Sequence, residues 1–446
     1  MNYNESISFL YGLQKHGIKL GLERIRKILD TLGNPHQQFS SIHIAGTNGK
    51  GSTAAACECI LRSHGLKTGL FTSPHLISFT ERIRINGIEI TETDVIRLTS
   101  YIRAETDNIC QKHGQPTFFE FVTAMAFCYF AEQGIDWAVV ETGMGGRLDA
   151  TNVLIPAVSV ITPVSLDHRE FLGSTLKEIA SEKAGIIKQG VPVVSALQKK
   201  EAADLLLSTA KRAGSEAYFY DVDFSVSNIK TDALGSTFDY TDGDIFINNI
   251  HLPLPGRYQT QNSAAAVKAA LLALGNNRLS LENTAAGLNR IKWPGRLEMI
   301  SDNPAFLLDA AHNPDAANAL AEYLKSNYAD RSIIFIIGMM ADKDITQTIM
   351  QLLPLSSKTI FTRPPTERAA SAQSLSDAAL DLGYENTCTT DTIQAAIDLA
   401  YAISAELSVT EKPDPLIVAT GSFYTIGEIK AALGAKRILH DLTEKF

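Results

Sequence analysis

The chain has 446 residues, of which 45% are hydrophobic and 20% charged, a balance typical of globular proteins that bury their own cores. Its formal net charge of −9 gives no general attraction to nucleic acid or to an anionic membrane, so we expect neither as a partner. The five cysteines include no CxxC pair, which favours free thiols over a zinc site. No secretion signal is visible at the N-terminus, and we expect a cytoplasmic protein.

Short β-branched runs alternate with helical patterns through the first 200 residues, which predicts a mainly parallel sheet flanked by helices. RIRINGIEI (82–90) predicts a β-hairpin, because Asn86-Gly87 suits a tight primed turn. The apolar run 121–131 is too short to span a membrane and predicts a buried helix. The predicted strands of the sheet are SIHIA (41–45), TGLFT (68–72), DWAVVET (136–142), AVSVIT (157–162) and VPVVS (191–195).

The pattern changes near residue 215, where the segment 215–255 predicts a meander of short antiparallel strands. A helix follows at 260–275, and IKWPGR (291–296) interrupts regular structure at Pro294-Gly295. The α/β alternation then resumes. We therefore predict two domains. The first, 1–294, has a P-loop-type, mainly parallel sheet with a small antiparallel section, and the second, 295–446, is a Rossmann-like α/β domain.

The segment HIAGTNGKGSTAA (43–55) resembles a phosphate-binding loop with altered spacing. Only two residues separate Gly46 from Gly49-Lys50, and Gly51 stands where the usual pattern has a hydroxyl. The segment follows a strand and opens a helix, so its backbone N–H groups converge beside Lys50. An incidental glycine-rich turn is the alternative. We favour phosphate binding, with these candidate residues: Thr47, Asn48, Gly49, Lys50, Gly51 and Ser52.

Polar side chains follow three predicted strands and suggest a magnesium site at one edge of the sheet. They are Ser73, Glu141, and the pair Asp167 and His168. The carboxyl ends of parallel strands share an edge with the phosphate loop, and oxygen ligands suit Mg²⁺. Each has an ordinary alternative: a turn, a solvated or paired carboxylate, or a structural histidine.

Two further segments carry candidate chemistry. Lys183 lies on a helix rich in charged residues, and the residues alone favour a solvated helix face for it. In the second domain Asp309, His312 and Asn313 lie between a strand and a helix, a plausible reactive edge, although Asn313-Pro314 also suits a simple helix start.

The order of motifs resembles the folylpolyglutamate synthase family of the Mur ligase superfamily, including its bifunctional dihydrofolate synthases. The resemblance runs from residue 21 to residue 424, and ETGMGGRLDATN (141–152) is its most specific part. A glycine after the lysine is the form that the loop takes in this family. The other matching motifs are GTNGKGST, SPHL, LDHxxxLG, EKAGI, WPGR and DAAHNP.

The resemblance implies a role for each matching residue. Gly49, Lys50, Gly51 and Ser52 would hold the ATP phosphates, while Asn262, Arg296 and Asp309 would contact the nucleotide from the domain junction. Ser73 and Glu141 would bind one Mg²⁺ and His168 a second. Lys183 would carry a CO₂-derived carbamate. The segments expected to line the pterin site are Thr117, Phe118, Phe119 and Glu120, and Leu148, Asp149 and Ala150; core packing is the alternative for the aromatic rings.

The implied reaction is ATP-driven amide formation through an acyl phosphate, with Lys50, Lys183, Asp309 and His312 as candidate catalytic residues. The expected substrates are small molecules: ATP, L-glutamate, and dihydropteroate or reduced folates. A cell-wall Mur ligase is disfavoured because fewer than fifty residues precede the loop. A synthase that only extends folates, or a nucleotide-binding switch, remains an alternative. We expect a monomer.

Overall fold

A computed structural model describes residues 1–17, 21–275, 279–410 and 413–434. The strands are β1 (Ser40–Ala45), β2 (Thr68–Phe71), β3 (Ile83–Ile85), β4 (Ile88–Glu89), β5 (Trp137–Glu141), β6 (Val158–Ile161), β7 (Val193–Ser195), β8 (Ala217–Phe219), β9 (Phe224–Asp232), β10 (Gly235–Asp242), β11 (Ile245–Leu252), β12 (Glu298–Asp302), β13 (Ala305–Leu308), β14 (Ile333–Ile337), β15 (Ser356–Phe361), β16 (Thr387–Thr389) and β17 (Leu416–Thr420).

The helices are α1 (Tyr3–Gly12), α2 (Glu23–Thr31), α3 (Lys50–Ser63), α4 (Glu92–His113), α5 (Phe118–Glu132), α6 (Arg169–Leu172), α7 (Leu176–Ala184), α8 (Lys200–Arg212), α9 (Arg257–Leu274), α10 (Leu281–Leu288), α11 (Pro314–Asn327), α12 (Ile345–Leu352), α13 (Ala372–Asp381), α14 (Ile393–Thr410) and α15 (Phe423–Ala432). No helix in the described ranges is long and apolar enough to cross a membrane.

The large sheet has the strand order β4-β3-β2-β5-β1-β6-β7-β8, with β1 inside it between β5 and β6. Strands from β2 to β8 in this order are parallel, and the β3–β4 hairpin is antiparallel. The hairpin turn has Asn86 and Gly87 at φ 50° and 78°, as a primed turn requires. The five predicted strands and this hairpin are confirmed. Because β2, β5, β1 and β6 run in one direction, the loops that follow them meet at one edge.

The segment 215–255 divides between two sheets, which corrects the single meander predicted for it. Strands β9, β10 and β11 form the small antiparallel sheet, as expected. Strand β8, however, pairs in parallel with β7 and extends the large sheet. Strand β8 has three residues, which are too few to show an alternation of polar and apolar side chains. The sequence pattern therefore could not assign this strand to one sheet or the other.

A third sheet begins after residue 297, in the order β12-β13-β17-β14-β15-β16. It is parallel except for the β12–β13 pair, and helices α11 to α15 complete an α/β arrangement. The sequence reasoning missed β12 and β16, which are short edge strands without a continuous apolar run. The domain boundary at residue 294 stays a prediction.

Apolar burial fixes the helix that carries the phosphate loop. Helix α3 packs against α9 and α10, and its residues Ser52–Leu61 are all buried. On the other side of the large sheet, α5 is buried along most of its length, which explains the apolar run 121–131. With α3 enclosed by two helices and a sheet, its first turn and the preceding loop have little freedom to move.

Candidate active site

The phosphate loop connects β1 to α3, and its glycines are required by close neighbours. Gly46 has φ 152°, and a Cβ there would lie 1.8 Å from the Oγ1 of Thr162. Gly49 has φ 85°, and a Cβ there would lie 2.4 Å from Oδ1 of Asn262. At Gly51 a Cβ would lie 2.7 Å from the ring of Trp293. The hydroxyl residue of the common pattern would therefore require the ring of Trp293 to shift.

Hydrogen bonds hold the loop to the segment after β6. The backbone N–H of Thr47 donates to the carbonyl oxygen of Pro163 at 2.9 Å. Its hydroxyl donates to the carbonyl of Ser165, whose N–H donates back at 3.0 Å. Helix α3 begins at Lys50 without a side-chain cap, so its first N–H groups point outward for a ligand. Ser52 lies buried in this first turn.

Ser73 and Glu141, predicted as metal ligands, are in contact. The backbone N–H of Ser73 donates to Oε2 of Glu141 at 3.1 Å, and Nζ of Lys50 lies 3.9 Å from Oε1. Burial raises the pKa of Glu141 to about 7, and the charge of Lys50 only partly opposes this. The Glu141 carboxylate thus lies beside the phosphate loop, where the neighbouring positive charge is too small to offset the effect of burial on its pKa.

His168 is the N-cap of α6 and has a left-handed conformation, with φ 49°. Burial lowers its pKa to about 4, so the imidazole is neutral near pH 7 and suited to bind a metal. Within the described residues, however, no group of three or more His, Cys, Asp or Glu side chains is arranged to hold a metal ion. Any metal here would depend on hydroxyl, phosphate or water oxygens as well.

The neighbour of His168, Asp167, connects the large sheet to the C-terminal sheet. Its Oδ1 accepts a hydrogen bond from Nζ of Lys343 at 2.6 Å, and its Oδ2 lies 3.7 Å from Nε2 of His312. Burial alone would raise the pKa of Asp167, but His312, His168 and Lys343 together hold it below its usual range. The predicted residue His312 therefore faces the site, and its Nδ1–H donates to the carbonyl of Ala310 at 2.9 Å.

Lys183 is buried, with 3% of its surface exposed, so the solvated helix face favoured by the residues alone is wrong. Its Nζ donates to the carbonyl of Gly46 at 2.6 Å, which places the amine directly beside the phosphate loop. Burial and the charge of Lys50 lower its pKa to about 7. The charged residues near Lys183 in sequence lie on the outer face of α7. This is why the charge pattern predicted a solvated position for Lys183.

Asp309 is buried and accepts hydrogen bonds from the protein itself. Its Oδ2 accepts from the N–H of Leu297 at 3.0 Å and from the hydroxyl of Tyr258, and its Oδ1 accepts from the N–H of Ala311. Burial raises its pKa, and the charge of Arg296 opposes this. These contacts tie the segment 291–297, called the linker below, to the end of β13. A direct catalytic or nucleotide contact by Asp309 stays a prediction.

The other residues expected to contact the nucleotide lie nearby. Asn262, on α9, packs under Gly49 and donates to Oε1 of Gln259 at 3.2 Å. The guanidinium of Arg296 lies 4.6 Å from the ring centre of Phe423. The same guanidinium is one of the charges that oppose the rise in the pKa of Glu141, so the charge of Arg296 acts on a carboxylate beside the phosphate loop.

Thr117 and Glu120, predicted for the pterin site, form the capping box of α5. The N–H of Glu120 donates to the Thr117 hydroxyl, and the N–H of Thr117 donates to Oε2 of Glu120 at 2.8 Å. The same oxygen pairs with Arg24 at 2.8 Å. Both side chains therefore have a structural role, and substrate contact by them stays a prediction.

The two phenylalanines of this segment lie in aromatic stacks. Phe118 is buried and stacks on Tyr11, with ring centres 5.5 Å apart, while Arg82 lies 5.2 Å from its centre. Phe119 is half-buried, stacks on Phe71 at 5.8 Å and covers Gly143, where a Cβ would lie 2.7 Å away. Phe119 is thus the ring that borders the glycine-rich loop after β5.

That loop is organised by Asp149. Its Oδ1 accepts from the N–H and hydroxyl of Thr151, and its Oδ2 accepts from the N–H of Met144 at 2.9 Å. Burial raises its pKa, and these hydrogen bonds oppose the rise. Ala150 is buried, whereas Leu148 is half-exposed. Substrate contact by this segment stays a prediction.

Sequence reasoning missed Lys343 and Trp293. Lys343 follows the very apolar strand β14, the same strand-end signal that identified Glu141 and Asp167. Trp293 belongs to the segment that we interpreted only as an interruption of regular structure, yet its ring covers Gly51 and lies 5.7 Å from the guanidinium of Arg84. Only the fold could show that contact, since more than 200 residues separate Trp293 from Gly51.

Comparison with known proteins agrees with this geometry. Residues 44–270 match the Mur ligase middle domain, and residues 295–423 match the Mur ligase glutamate ligase domain. The chain is 37% identical to folylpolyglutamate synthase of Lacticaseibacillus casei, over 97% of this chain and 99% of that one. It is 34% identical to dihydrofolate synthase/folylpolyglutamate synthase of Bacillus subtilis, over the same shares. The chain belongs to the folylpolyglutamate synthase family of Mur ligases.

A solved structure of the family superimposes closely. Folylpolyglutamate synthase of Mycobacterium tuberculosis, complexed with ADP, has a TM-score of 0.92 and 32% identity, over 98% of this chain and all of that one. The mixed α/β fold is thereby confirmed. The chain is an ATP-dependent ligase, and the alternative of a nucleotide-binding switch is discarded.

Replacing Gly49 by alanine tests whether the tight packing of the loop matters for turnover. Backbone strain at positive φ and the clash with Asn262 displace the loop, and we expect kcat/KM for ATP to fall about 100-fold, more than strain of about 1–2 kcal/mol explains. Gly65→Ala is the control, since Gly65 has φ 78° and no neighbour within 4 Å. Equal losses in the two variants would mean that backbone strain alone accounts for the effect.

Proposed function

We propose that this chain adds L-glutamate both to dihydropteroate and to reduced folates, with ATP as the energy source. The observation that carries the proposal is that Glu141 and Lys183 lie beside the phosphate loop. Asp167, at the same sheet edge, contacts His312 of the other sheet. The names of the relatives supply the substrate class. The bifunctional assignment follows the Bacillus subtilis relative, which matches over nearly its whole length.

The chain's own residues explain how the reaction proceeds. The N–H groups at the start of α3 and the ammonium of Lys50 hold the ATP phosphates and stabilise charge on the transferred phosphoryl group. The substrate carboxylate attacks the γ-phosphate, which gives an acyl phosphate and ADP. The glutamate amine then attacks the acyl carbon, an amide forms, and phosphate leaves. His312 and Arg296 approach this centre from the C-terminal side.

The residues around Glu141 fit a divalent cation. Glu141 is 4% exposed; its carboxylate accepts from the backbone N–H of Ser73 at 3.1 Å and lies 3.9 Å from the ammonium of Lys50. A buried carboxylate is stable in its charged form only with more positive charge than this. We assign one Mg²⁺ to Ser73 and Glu141 and a second to His168. When bound with ATP, Mg²⁺ neutralises charge on the phosphates.

A Glu141→Gln variant tests the first magnesium site. Losing the carboxylate removes a charged ligand, so the Mg²⁺ concentration for half-maximal ADP release should rise about tenfold at saturating ATP. Glu58→Gln is the matched control, because Glu58 is also buried but pairs with Arg62 at 2.8 Å. An unchanged Mg²⁺ requirement in Glu141→Gln would remove Glu141 from the metal site.

Lys183 is positioned for carbamate formation. A neutral amine attacks CO₂, a C–N bond forms, and the amine loses one proton, so a cation becomes a carboxylate-like group. With its pKa near 7, a large share of the Lys183 amine is neutral at that pH. The resulting negative charge would lie beside the phosphate loop and would lower the repulsion between this side chain and the ammonium of Lys50.

Carbon-13 NMR with labelled bicarbonate detects such an adduct directly. The wild-type protein should give a carbamate resonance that Lys183→Arg lacks. Lys188→Arg is the control, since burial also lowers the pKa of Lys188, to about 8, but its amine donates to Asn152 away from the loop. A resonance that persists in Lys183→Arg, or is absent from the wild type, would overturn the assignment.

We propose two domains, 1–294 and 295–446, that close over the substrates about a hinge at the linker. Trp293 packs on the phosphate loop, whereas the N–H of Leu297 bonds to Asp309 and the carbonyl of Gly295 accepts from Ala310. The linker thus changes partners within four residues. Limited proteolysis should cleave near residue 294 and leave two folded fragments; a first cut inside either half would contradict the boundary.

Product analysis decides the function. Purified protein with Mg-ATP and L-glutamate should release ADP when either dihydropteroate or tetrahydrofolate is added, and each product should gain one glutamate by mass. Omitting L-glutamate is the control. ADP release with tetrahydrofolate alone would make the chain a folylpolyglutamate synthase only, and no stimulation by either substrate would exclude the folate substrates.

A further inference from the structure

Two asparagine side chains join the phosphate loop to the C-terminal sheet in a reciprocal amide pair. Nδ2 of Asn313 donates to Oδ1 of Asn48 at 2.9 Å, and Nδ2 of Asn48 donates to Oδ1 of Asn313 at 3.2 Å. Asn313 is 2% exposed, so the pair is shielded from water on at least one side. Two complementary hydrogen bonds fix the orientation of both amides as well as their distance.

Asn313 is itself held in place. Its Oδ1 also accepts from the N–H of Ala316 at 3.0 Å, which makes it the N-cap of α11, and Pro314 occupies the first helical position. The amide that meets the loop therefore belongs to a helix anchored in the C-terminal sheet. Any shift of this helix moves Oδ1 and Nδ2 of Asn313 together.

The remaining loop residues are constrained from elsewhere. Thr47 is fixed by Pro163 and Ser165, Gly49 packs on Asn262, and Gly51 packs on Trp293. All of these partners precede residue 294. The side chain of Asn48, by contrast, extends to a residue beyond the linker. Its two polar atoms are engaged with Asn313, which makes it ill suited to bind the nucleotide directly.

We propose that the Asn48–Asn313 amide pair is the contact through which the C-terminal half positions the phosphate loop for phosphoryl transfer. Both asparagines are positioning residues: they act on the geometry of Gly49 and Lys50 and not on the reacting atoms. The inference rests on the proposed function for its kinetic test, but the contact itself is independent of the substrate. It implies that the loop reaches its productive geometry only when the two halves meet.

A double-mutant cycle separates this role from direct nucleotide binding. Asn313→Ser keeps an N-cap side chain but is too short to reach the loop, and Asn48→Ala removes the other partner. Two lost hydrogen bonds should lower kcat about tenfold in each single variant, with KM for ATP changed less than about threefold. The double variant should lose no more than about twofold beyond either single one.

Multiplicative losses in the double variant, or a KM for ATP that rises in Asn48→Ala alone, would overturn the proposal in favour of a direct contact with ATP. An unchanged kcat in both single variants would overturn it as well. Ser371→Ala is the matched control, because Ser371 caps α13 in the same half without touching the loop. It should leave kcat unchanged.

Hydrogen–deuterium exchange measures the opening of the phosphate loop without any folate substrate. Amides of residues 46–51 should exchange several-fold faster in Asn313→Ser and Asn48→Ala than in the wild type and in Ser371→Ala. If wild-type protein shows no folate-dependent ADP release, the proposed function fails, and exchange alone then decides this inference. Unchanged exchange at the loop in both variants would exclude the coupling.

Discussion

Close packing around the phosphate loop is the constraint on which the rest of the site depends. Side chains of Thr162, Asn262 and Trp293 lie where a Cβ on Gly46, Gly49 or Gly51 would have to be. Glycine is therefore imposed from outside by elements distant in sequence, as well as by the conformation of the loop itself. The same packing disfavours, at position 51, the hydroxyl residue that usually binds the metal beside the lysine. The magnesium sites proposed at other strand ends of the same edge do not need that hydroxyl.

The buried charges of the site follow from this geometry. Glu141 and Lys183 lie beside the loop and are nearly inaccessible to water; Glu141 has the ammonium of Lys50 3.9 Å away, and the amine of Lys183 donates to the backbone carbonyl of Gly46. Their pKa values move toward 7 from opposite directions: burial outweighs the charge of Lys50 at Glu141, whereas at Lys183 burial and the charge of Lys50 act together. Partly compensated charge is characteristic of a site built for charged ligands, here the phosphates of ATP.

Sequence reasoning found most of the fold, because β1, β5 and β6 are continuous apolar runs bounded by turn residues. It failed at β8, β12 and β16, where short edge strands carry no such signal. In the site, strand-end positions identified Ser73, Glu141 and Asp167, and the structure brings Ser73 and Glu141 into contact. Lys183 was misjudged from its charged neighbours, since periodicity shows which face of a helix is polar but not how deeply a long side chain reaches. The roles of Thr117 and Glu120 in capping α5 were readable in principle, because Thr-x-x-Glu before an apolar run is a capping-box pattern.

The linker explains why a contact as small as one amide pair matters. Trp293 holds one end of IKWPGR against the loop, and Leu297 and Gly295 hold the other end to β13 and its following turn. A rotation of the C-terminal half about this segment moves Asn313, His312 and Lys343 together, since all three follow strands of one sheet. Lys343 and His312 contact Asp167, on the loop after β6, and Asn313 contacts Asn48, on the neighbouring loop after β1. The ion pair of Asp167 with Lys343 acts over several ångströms and tolerates misalignment, whereas the amide pair requires one orientation. The charges therefore draw the two halves together, and the amide pair fixes their register at the phosphate loop.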